Sequence, residues 1–270
     1  MTISRRSVLA TSAAGLAVAA AAGGAEAAQA ASPTVLITGA NRGIGLGFAK
    51  DYAAKGWNVI ATTRKPEDAQ ELKKLAAANK KVVVEKLDVT NAADIAALAA
   101  KYKGKPIDLL INNAGIVNDF MNPKPQSFGT LDHKMADDFM HTNVLGPLQL
   151  TEALYENVKM SEQKKIAAVT SLAGVHGANY GMVPGGYWYK LSKAALNAAM
   201  ANIATDGKKD GVIVILLSPG QVRVEKIANA RISGMIETPE AIGGMTKVLE
   251  NATLAESGSI IRYNGEKQPF

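Results

Sequence analysis

The sequence predicts a doubly wound parallel α/β sheet with helices on both faces. Two observations carry that prediction. From Pro33 onward, short β-branched apolar runs alternate with longer helical stretches, which means parallel pairing through right-handed crossovers. The first such run, Thr34-Val-Leu-Ile, also enters a helical pattern through the glycine-rich turn Thr38-Gly39-Ala40-Asn41-Arg42-Gly43-Ile44-Gly45. With 270 residues, 47% of them apolar, the chain can bury one substantial core, most simply as one domain.

The predicted strands are Val35 to Thr38, Asn58 to Thr62, Val82 to Leu87, Ile107 to Ile111, Ile166 to Thr170, Val212 to Leu217 and a short Ser259 to Arg262. The predicted helices are Ile44 to Lys55, Glu67 to Ala78, Ala92 to Tyr102, Lys134 to Val158, Tyr189 to Thr205 and a weaker Gln221 to Ile232. Ligands of such sheets bind beyond the carboxyl ends of the strands, and the chemistry-bearing residues below all fall there.

Residues 1–31 stand apart. Arg5-Arg6 precede an Ala/Leu/Val/Gly run to about Ala22, followed by two A-x-A patterns, Ala25-Glu26-Ala27 and Ala28-Gln29-Ala30. The run is too short and alanine-rich for a stable membrane span. Its paired arginines resemble a twin-arginine export signal, so the expectation is a removed signal, a mature domain over residues 32–270 and a periplasmic location. The alternative is a disordered alanine-rich tail on a cytoplasmic protein.

The net charge of +6 comes from scattered lysine pairs, with no basic stripe interleaved with aromatics, so nucleic-acid binding is not expected. Absence of cysteine removes disulfides, thiolate zinc sites and cysteine nucleophiles. His133, His141 and His176 lack ligand spacing, and no metal site is expected.

In the glycine turn, Gly39 suits a sharp exit from the strand, Gly43 a close approach of backbone to a pyrophosphate, and Gly45 close packing of helix on sheet. Phosphates would sit on the helix N-terminus. The same spacing also occurs in plain turns. The second strand ends Thr62-Thr63-Arg64-Lys65, where an NAD site usually carries an acidic side chain for the ribose. Arg64 and Lys65, with Arg42 closing the pocket, suit a 2′-phosphate, so NADP(H) is favoured; the alternative is that these side chains merely solvate the surface. Asp88 either accepts from an adenine amino group or caps the following helix. Asn112-Asn113-Ala114-Gly115 suits a wall against a cofactor and is also ordinary loop text.

Tyr189 and Lys193 are four apart, which places both side chains on one helix face. An adjacent ammonium favours a phenolate and lowers its pKa, so Tyr189 is a candidate proton donor and acceptor. Ser171, just past the fifth strand, can hydrogen-bond a substrate oxygen opposite the phenol.

Together these residues resemble the short-chain dehydrogenases/reductases, in family order: the turn from Thr38 to Gly45, Asp88, Asn112 to Gly115, Asn143, Ser171, Tyr189 with Lys193, and Pro219-Gly220. The resemblance covers nearly the whole chain from Ser32. It implies a Rossmann-type sheet of seven strands in the order 3-2-1-4-5-6-7. The 18-residue step from Ser171 to Tyr189, the run Gly185 to Asn197 and the ending Gly258 to Gly265 resemble the branch of sniffer-type carbonyl reductases and C-factor proteins.

By that resemblance Tyr189 is the catalytic acid/base, Lys193 holds the nicotinamide ribose and tunes Tyr189, Ser171 polarises the carbonyl, and Asn143 supports a water-linked proton path. The cofactor contacts implied are Gly39, Asn41, Arg42, Gly43, Ile44, Gly45, Arg64, Asp88, Asn113, Ala114, Gly115, Tyr189, Lys193, Pro219, Gly220 and Val222. Val224 departs from the family, which commonly has a nicotinamide-contacting threonine there. The implied activity is NADPH-dependent reduction of a ketone, aldehyde or quinone, with Val175 to Pro184 and Arg223 to Thr238 lining an apolar pocket. The alternative is an NADP(H)-binding signalling or sensor protein of C-factor type. The family analogy further implies a homo-oligomer joined through the two long helices.

Overall fold

Strands β1 (Thr34–Ile37), β2 (Asn58–Thr63) and β3 (Val82–Lys86) alternate with helices α1 (Gly43–Ala54), α2 (Gln70–Ala78) and α3 (Ala92–Tyr102). After β4 (Leu109–Asn112) come α4 (Met135–Met140), one π turn over His141–Leu145 and α5 (Gly146–Lys159), then β5 (Lys165–Val169) and the 21-residue α6 (Tyr187–Gly207). The chain closes with β6 (Ile213–Ser218), β7 (Gln221–Arg223), β8 (Met235–Glu237), α7 (Thr238–Asn251), β9 (Ile260–Arg262) and β10 (Lys267–Gln268). The computed structural model describes residues 32–117, 122, 124–175, 185–224 and 234–270. Within it Ser32–Phe270 forms one unit, and the proposed signal over residues 1–31 lies outside the described residues.

The main sheet runs β10-β9-β6-β5-β4-β1-β2-β3. Its seven parallel strands stand in the predicted order, and β10 adds an antiparallel edge. Strand residues alternate between two cores. Val35, Ile37, Leu109 and Ile111 pack with Phe48, Tyr52, Leu72, Met245 and Leu249 on one face. Leu36, Leu110, Ile166 and Ala168 pack with Ile95, Leu98, Leu150, Leu154, Leu196 and Met200 on the other. A sheet covered on both faces explains why its strands read as unbroken apolar runs.

Three predictions are corrected. Gln221–Arg223 is a strand, not the start of a helix: it pairs in parallel with β8, and this distant partner, Met235–Glu237, is invisible to local periodicity. Residues 225–232 of that predicted helix lie outside the described residues. The helix α7 was not anticipated, because Gly243-Gly244 interrupts it; yet Ala241, Ile242, Met245, Thr246 and Leu249 form one buried face. Gly244 is required because Tyr263 lies against it: a Cβ there would sit 3.0 Å from the Tyr263 carbonyl carbon. The long helix expected from Lys134 to Val158 carries the π turn that sets Asn143 facing inward.

No described helix is long and apolar enough to cross a membrane. Leu154, fully buried against the sheet, is a sensitive test of the second core. Leu154→Ala should destabilise the protein by about 2–5 kcal/mol in urea unfolding; a change below about 0.5 kcal/mol would mean that α5 is not packed as described.

Candidate active site

The order of strands reverses between β1 and β4, and the glycine turn leaves the carboxyl end of β1 at this switch point. Gly39 and Gly43 have φ of +64° and +53°, which other residues adopt only under strain. Gly45 permits a close approach: a Cβ there would meet the Asn113 amide nitrogen at 2.5 Å. The turn is tied to β2, the Ala40 N–H donating to the Thr62 carbonyl at 2.8 Å. The Thr38 hydroxyl oxygen accepts from the backbone N–H groups of Asn113 and Ala114, each at 2.9 Å. Asn113 Nδ2 in turn donates to the carbonyls of Thr38 at 2.8 Å and Gly39 at 3.2 Å. The Asn113 side chain therefore clamps the glycine turn, which leaves only backbone of Asn113 for the wall expected from Asn113 to Gly115. Thr38 was missed as part of this clamp.

Arg42 is the N-cap of α1 but makes no side-chain cap bond, and the first turn of α1 contains no acidic residue. Arg42, Arg64 and Lys65 are exposed near this helix start and the end of β2. They form no ion pair among the described residues, in contrast to Lys55, Lys86, Lys101 and Lys159. Glycines that exclude a Cβ, an uncapped helix start and unpaired cations suit a ligand carrying several phosphates.

Asp88 does not cap α3. Asn91 takes that place, its Oδ1 accepting from the N–H groups of Ala93 and Asp94. Asp88 Oδ1 accepts from the backbone and hydroxyl of Thr90 at 2.9 and 2.8 Å, while Oδ2 accepts from no donor among the described residues. At the far side, Gly220 has φ +78° and turns the chain from β6 into β7, where Val222 is buried. Val224 packs on the first core. Of the two segments expected to line a pocket, residues 176–184 and 225–233 lie outside the described residues, as does His176.

Tyr189 and Lys193 do share one face of α6, and Ser171 meets them from the end of β5. Ser171 Oγ accepts from the Ala173 N–H at 3.1 Å and hydrogen-bonds the Tyr189 phenol. Lys193, only 7% exposed, donates from Nζ to the Val169 carbonyl at 2.8 Å and lies 5.8 Å from the Tyr189 ring centre. Burial lowers the Lys193 ammonium to about 8. Burial also raises the Tyr189 phenol above its ordinary value, with the Ser171 hydrogen bond opposing that rise. This corrects the expectation that the neighbouring ammonium lowers the phenol: in the protein alone Lys193 is aimed at Val169, and desolvation dominates both groups.

Asn143 is 1% exposed and joins β4's exit loop to α6. Its Oδ1 accepts from the Ile116 N–H at 2.8 Å, and its Nδ2 donates to the Ile116 carbonyl and Ser192 Oγ, each at 2.9 Å. Two further residues escaped sequence reading. Gln126 Oε1 accepts from the Tyr189 N–H at 3.2 Å, and Trp188 Nε1 donates to the Asp132 carbonyl at 2.9 Å, so the first turn of α6 is held from segment 124–132. A glutamine in a loop carries no sequence signal for this. Among the described residues, no group of three or more His, Cys, Asp or Glu could hold a metal.

A phenol, a hydroxyl and a buried ammonium at the carboxyl edge of a doubly wound sheet, beside a phosphate cradle, match one family. The short chain dehydrogenase model matches residues 33–233. The chain belongs to that family. It is therefore an oxidoreductase of the short-chain dehydrogenase/reductase type. The solved NADPH-bound carbonyl reductase from chicken fatty liver is 32% identical, with a TM-score of 0.82 over 88% of this chain and 99% of that one. The carbonyl reductase Sniffer of D. melanogaster, 24% identical over 88% of this chain and all of its own, shares the fold at a TM-score of 0.78. C-signal of Myxococcus xanthus is 31% identical over 165 residues, covering 61% of this chain and 93% of C-signal.

The buried ammonium has a measurable cost. Between about 8, the folded value for Lys193, and 10.5, its ordinary value, the unfolded chain binds the extra proton, so this group's contribution to stability rises with pH across that window. Lys193→Met removes the cost but leaves the Val169 carbonyl without this donor. At pH 7 the variant should be more stable than wild type by about 1–2 kcal/mol, a difference that shrinks toward pH 10.5. Thermal melts at both pH values check this; a gap that grows with pH would contradict it.

Proposed function

We propose that the protein is an NADPH-dependent carbonyl reductase acting on a small, apolar ketone, aldehyde or quinone. The observation that carries this reading is the Tyr189 phenol bonded to Ser171 with the buried Lys193 beside its ring. A protein that only bound a dinucleotide would have no need of that set. The likeness to an NADPH-bound carbonyl reductase supports the same reading.

The pyrophosphate fits the turn from Gly39 through Asn41, Gly43, Ile44 and Gly45, where the positive φ of Gly39 and Gly43 shapes the approach to the uncapped start of α1. Arg42 and Arg64 take the 2′-phosphate, Asp88 Oδ2 the adenine amino group, and the backbone of Asn113, Ala114 and Gly115 one wall of the site. Pro219, Gly220 and the Val222 backbone face the nicotinamide end; Val224, packed on the core, offers no hydroxyl to it. When bound, NADPH supplies the hydride that reduces the carbonyl carbon.

The chain's own residues polarise the substrate and deliver the proton. Ser171 Oγ uses a lone pair on the Ala173 N–H, and its hydroxyl, bonded to the Tyr189 phenol in the protein alone, turns its proton to the substrate oxygen once substrate enters. Tyr189 donates the phenolic proton to that same oxygen. Burial keeps this phenol protonated at neutral pH, which suits a donor in the reductive direction. Lys193 takes the nicotinamide ribose and stabilises the phenolate left behind. The amide of Asn143 is committed to Ile116 and Ser192, so a water-linked path at this residue runs from its backbone.

A second reading, an NADP(H)-binding signalling protein with little turnover, rests on the likeness to C-signal. A homo-oligomer joined through the long helices remains part of the proposal by family analogy. Export by the Arg5-Arg6 signal does too, and since NADP(H) does not cross a bilayer unaided, an exported protein would recycle one bound cofactor with a second substrate or work as a sensor; the alternative is that it stays in the cytoplasm despite its N-terminus. Cell fractionation beside an Arg5→Lys, Arg6→Lys variant tests export; wild-type protein found wholly in the cytoplasm would contradict it.

Titration with NADPH and NADH, followed by nicotinamide fluorescence, tests the cofactor assignment. Wild type should bind NADPH more tightly, and Arg64→Ala should weaken NADPH by about 10-fold or more while leaving NADH unchanged. Equal losses for both would remove the 2′-phosphate assignment. NADPH oxidation with a panel of aldehydes, ketones and quinones tests the reaction; tight NADPH binding without turnover of any of them would favour the signalling reading.

A further inference from the structure

Helix α6 meets the segment after β5 with three side chains in succession. Tyr189, Lys193 and Asn197 stand at i, i+4 and i+8, on one face. The first two contact Ser171 and Val169, as described. Asn197, 2% exposed, reaches both sides of the Ser171 turn. Its Oδ1 accepts a short hydrogen bond from the Thr170 hydroxyl, and its Nδ2 donates to the Gly174 carbonyl at 3.2 Å. Thr170 and Gly174 are the residues that bracket Ser171 to Ala173.

The turn's own bonds are local. Ala173 N–H donates to Ser171 Oγ, Gly174 N–H to the Ser171 carbonyl at 3.0 Å, and Val175 N–H to the Leu172 carbonyl at 3.1 Å. These shape the turn but do not fix its height against α6. Gly174 lets the two backbones touch, since a Cβ there would fall 2.5 Å from the Lys193 carbonyl carbon. The Thr170 N–H ties the start of the turn to β6, donating to the Leu217 carbonyl at 2.8 Å, and Asn197 adds directional bonds from α6 at both of its ends. A buried amide is costly unless satisfied, and this one spends both of its ends on the turn.

We propose that Asn197 is a positioning residue for Ser171, setting the place of the hydroxyl that polarises the substrate carbonyl. The inference rests on the reductase reading above. Asn197 itself touches neither substrate nor cofactor in this account; it acts through Ser171, on kcat and not on cofactor binding.

The test is a double-mutant cycle of wild type, Asn197→Ala, Ser171→Ala and the pair, using NADPH and the carbonyl compound that wild type reduces fastest. Asn197→Ala should lower kcat by about 10-fold or more, because small displacements of a polarising group are expensive, while Kd for NADPH stays unchanged. In the Ser171→Ala background the same substitution should lower kcat by less than about 2-fold, since the residue it acts through is gone. Asn197→Leu keeps nearly the same volume and removes both bonds; it should behave like Asn197→Ala, and it carries the cycle if the alanine variant fails to fold. Equal losses in both backgrounds, or a loss confined to Kd for NADPH, would overturn the inference and leave the reductase reading standing. A Ser171→Ala variant as active as wild type would overturn that reading, and the inference with it.

Discussion

Close contact between α6 and the turn after β5 is the constraint on which the site depends. Gly174 has no side chain, and the backbone of Lys193 occupies the place where one would be. Only at this separation can Lys193 reach the Val169 carbonyl and Asn197 reach Thr170 and Gly174. The first turn of α6 is fixed independently from the opposite side by Gln126 and Trp188. Tyr189 therefore stands on a support held from two sides, which matters for the proton donation proposed for it, since such a step depends on close placement.

A second rigid element lies one strand pair away. Thr38 and Asn113 knit the ends of β1 and β4 across the point where the strand order reverses, and in doing so they hold the glycine turn open toward solvent. Asn143 then bridges the loop after β4 to Ser192 on α6. The glycine turn and α6 are thus linked by the hydrogen bonds of Thr38, Asn113 and Asn143 and by the backbone from Asn113 to Ile116 between them. The electrostatics follow from the same burial: desolvation favours a protonated phenol and a less basic lysine in the protein alone. A bound anionic cofactor would act on Lys193 in the opposite sense, toward the charged form.

Most of the fold was legible because its sheet is buried on both faces, so each parallel strand from β1 to β6 announces itself as an apolar run bounded by turn residues. The parts that were not legible depend on distant partners. Strand β7 exists only because Gln221–Arg223 pairs with Met235–Glu237, and α7 tolerates its glycine pair because Tyr263 packs into it. That Ser171, Tyr189 and Lys193 come together was legible from type and spacing. The roles of Thr38, Gln126 and Asn197 were not, since each is defined by what it holds in space. Asn113 was read only as part of a wall; that its side chain also clamps the glycine turn is something only its bonds to Thr38 and Gly39 could reveal.

The central claim is that this chain reduces carbonyls with Tyr189 as the proton donor. Single-turnover transfer of deuterium from NADPH labelled at the nicotinamide C4 to the substrate carbinol carbon, compared between wild type and Tyr189→Phe, tests it directly. The account predicts label in the wild-type product and a transfer at least about 100-fold slower in Tyr189→Phe, with NADPH affinity unchanged. Transfer at equal rates in the two proteins would contradict it.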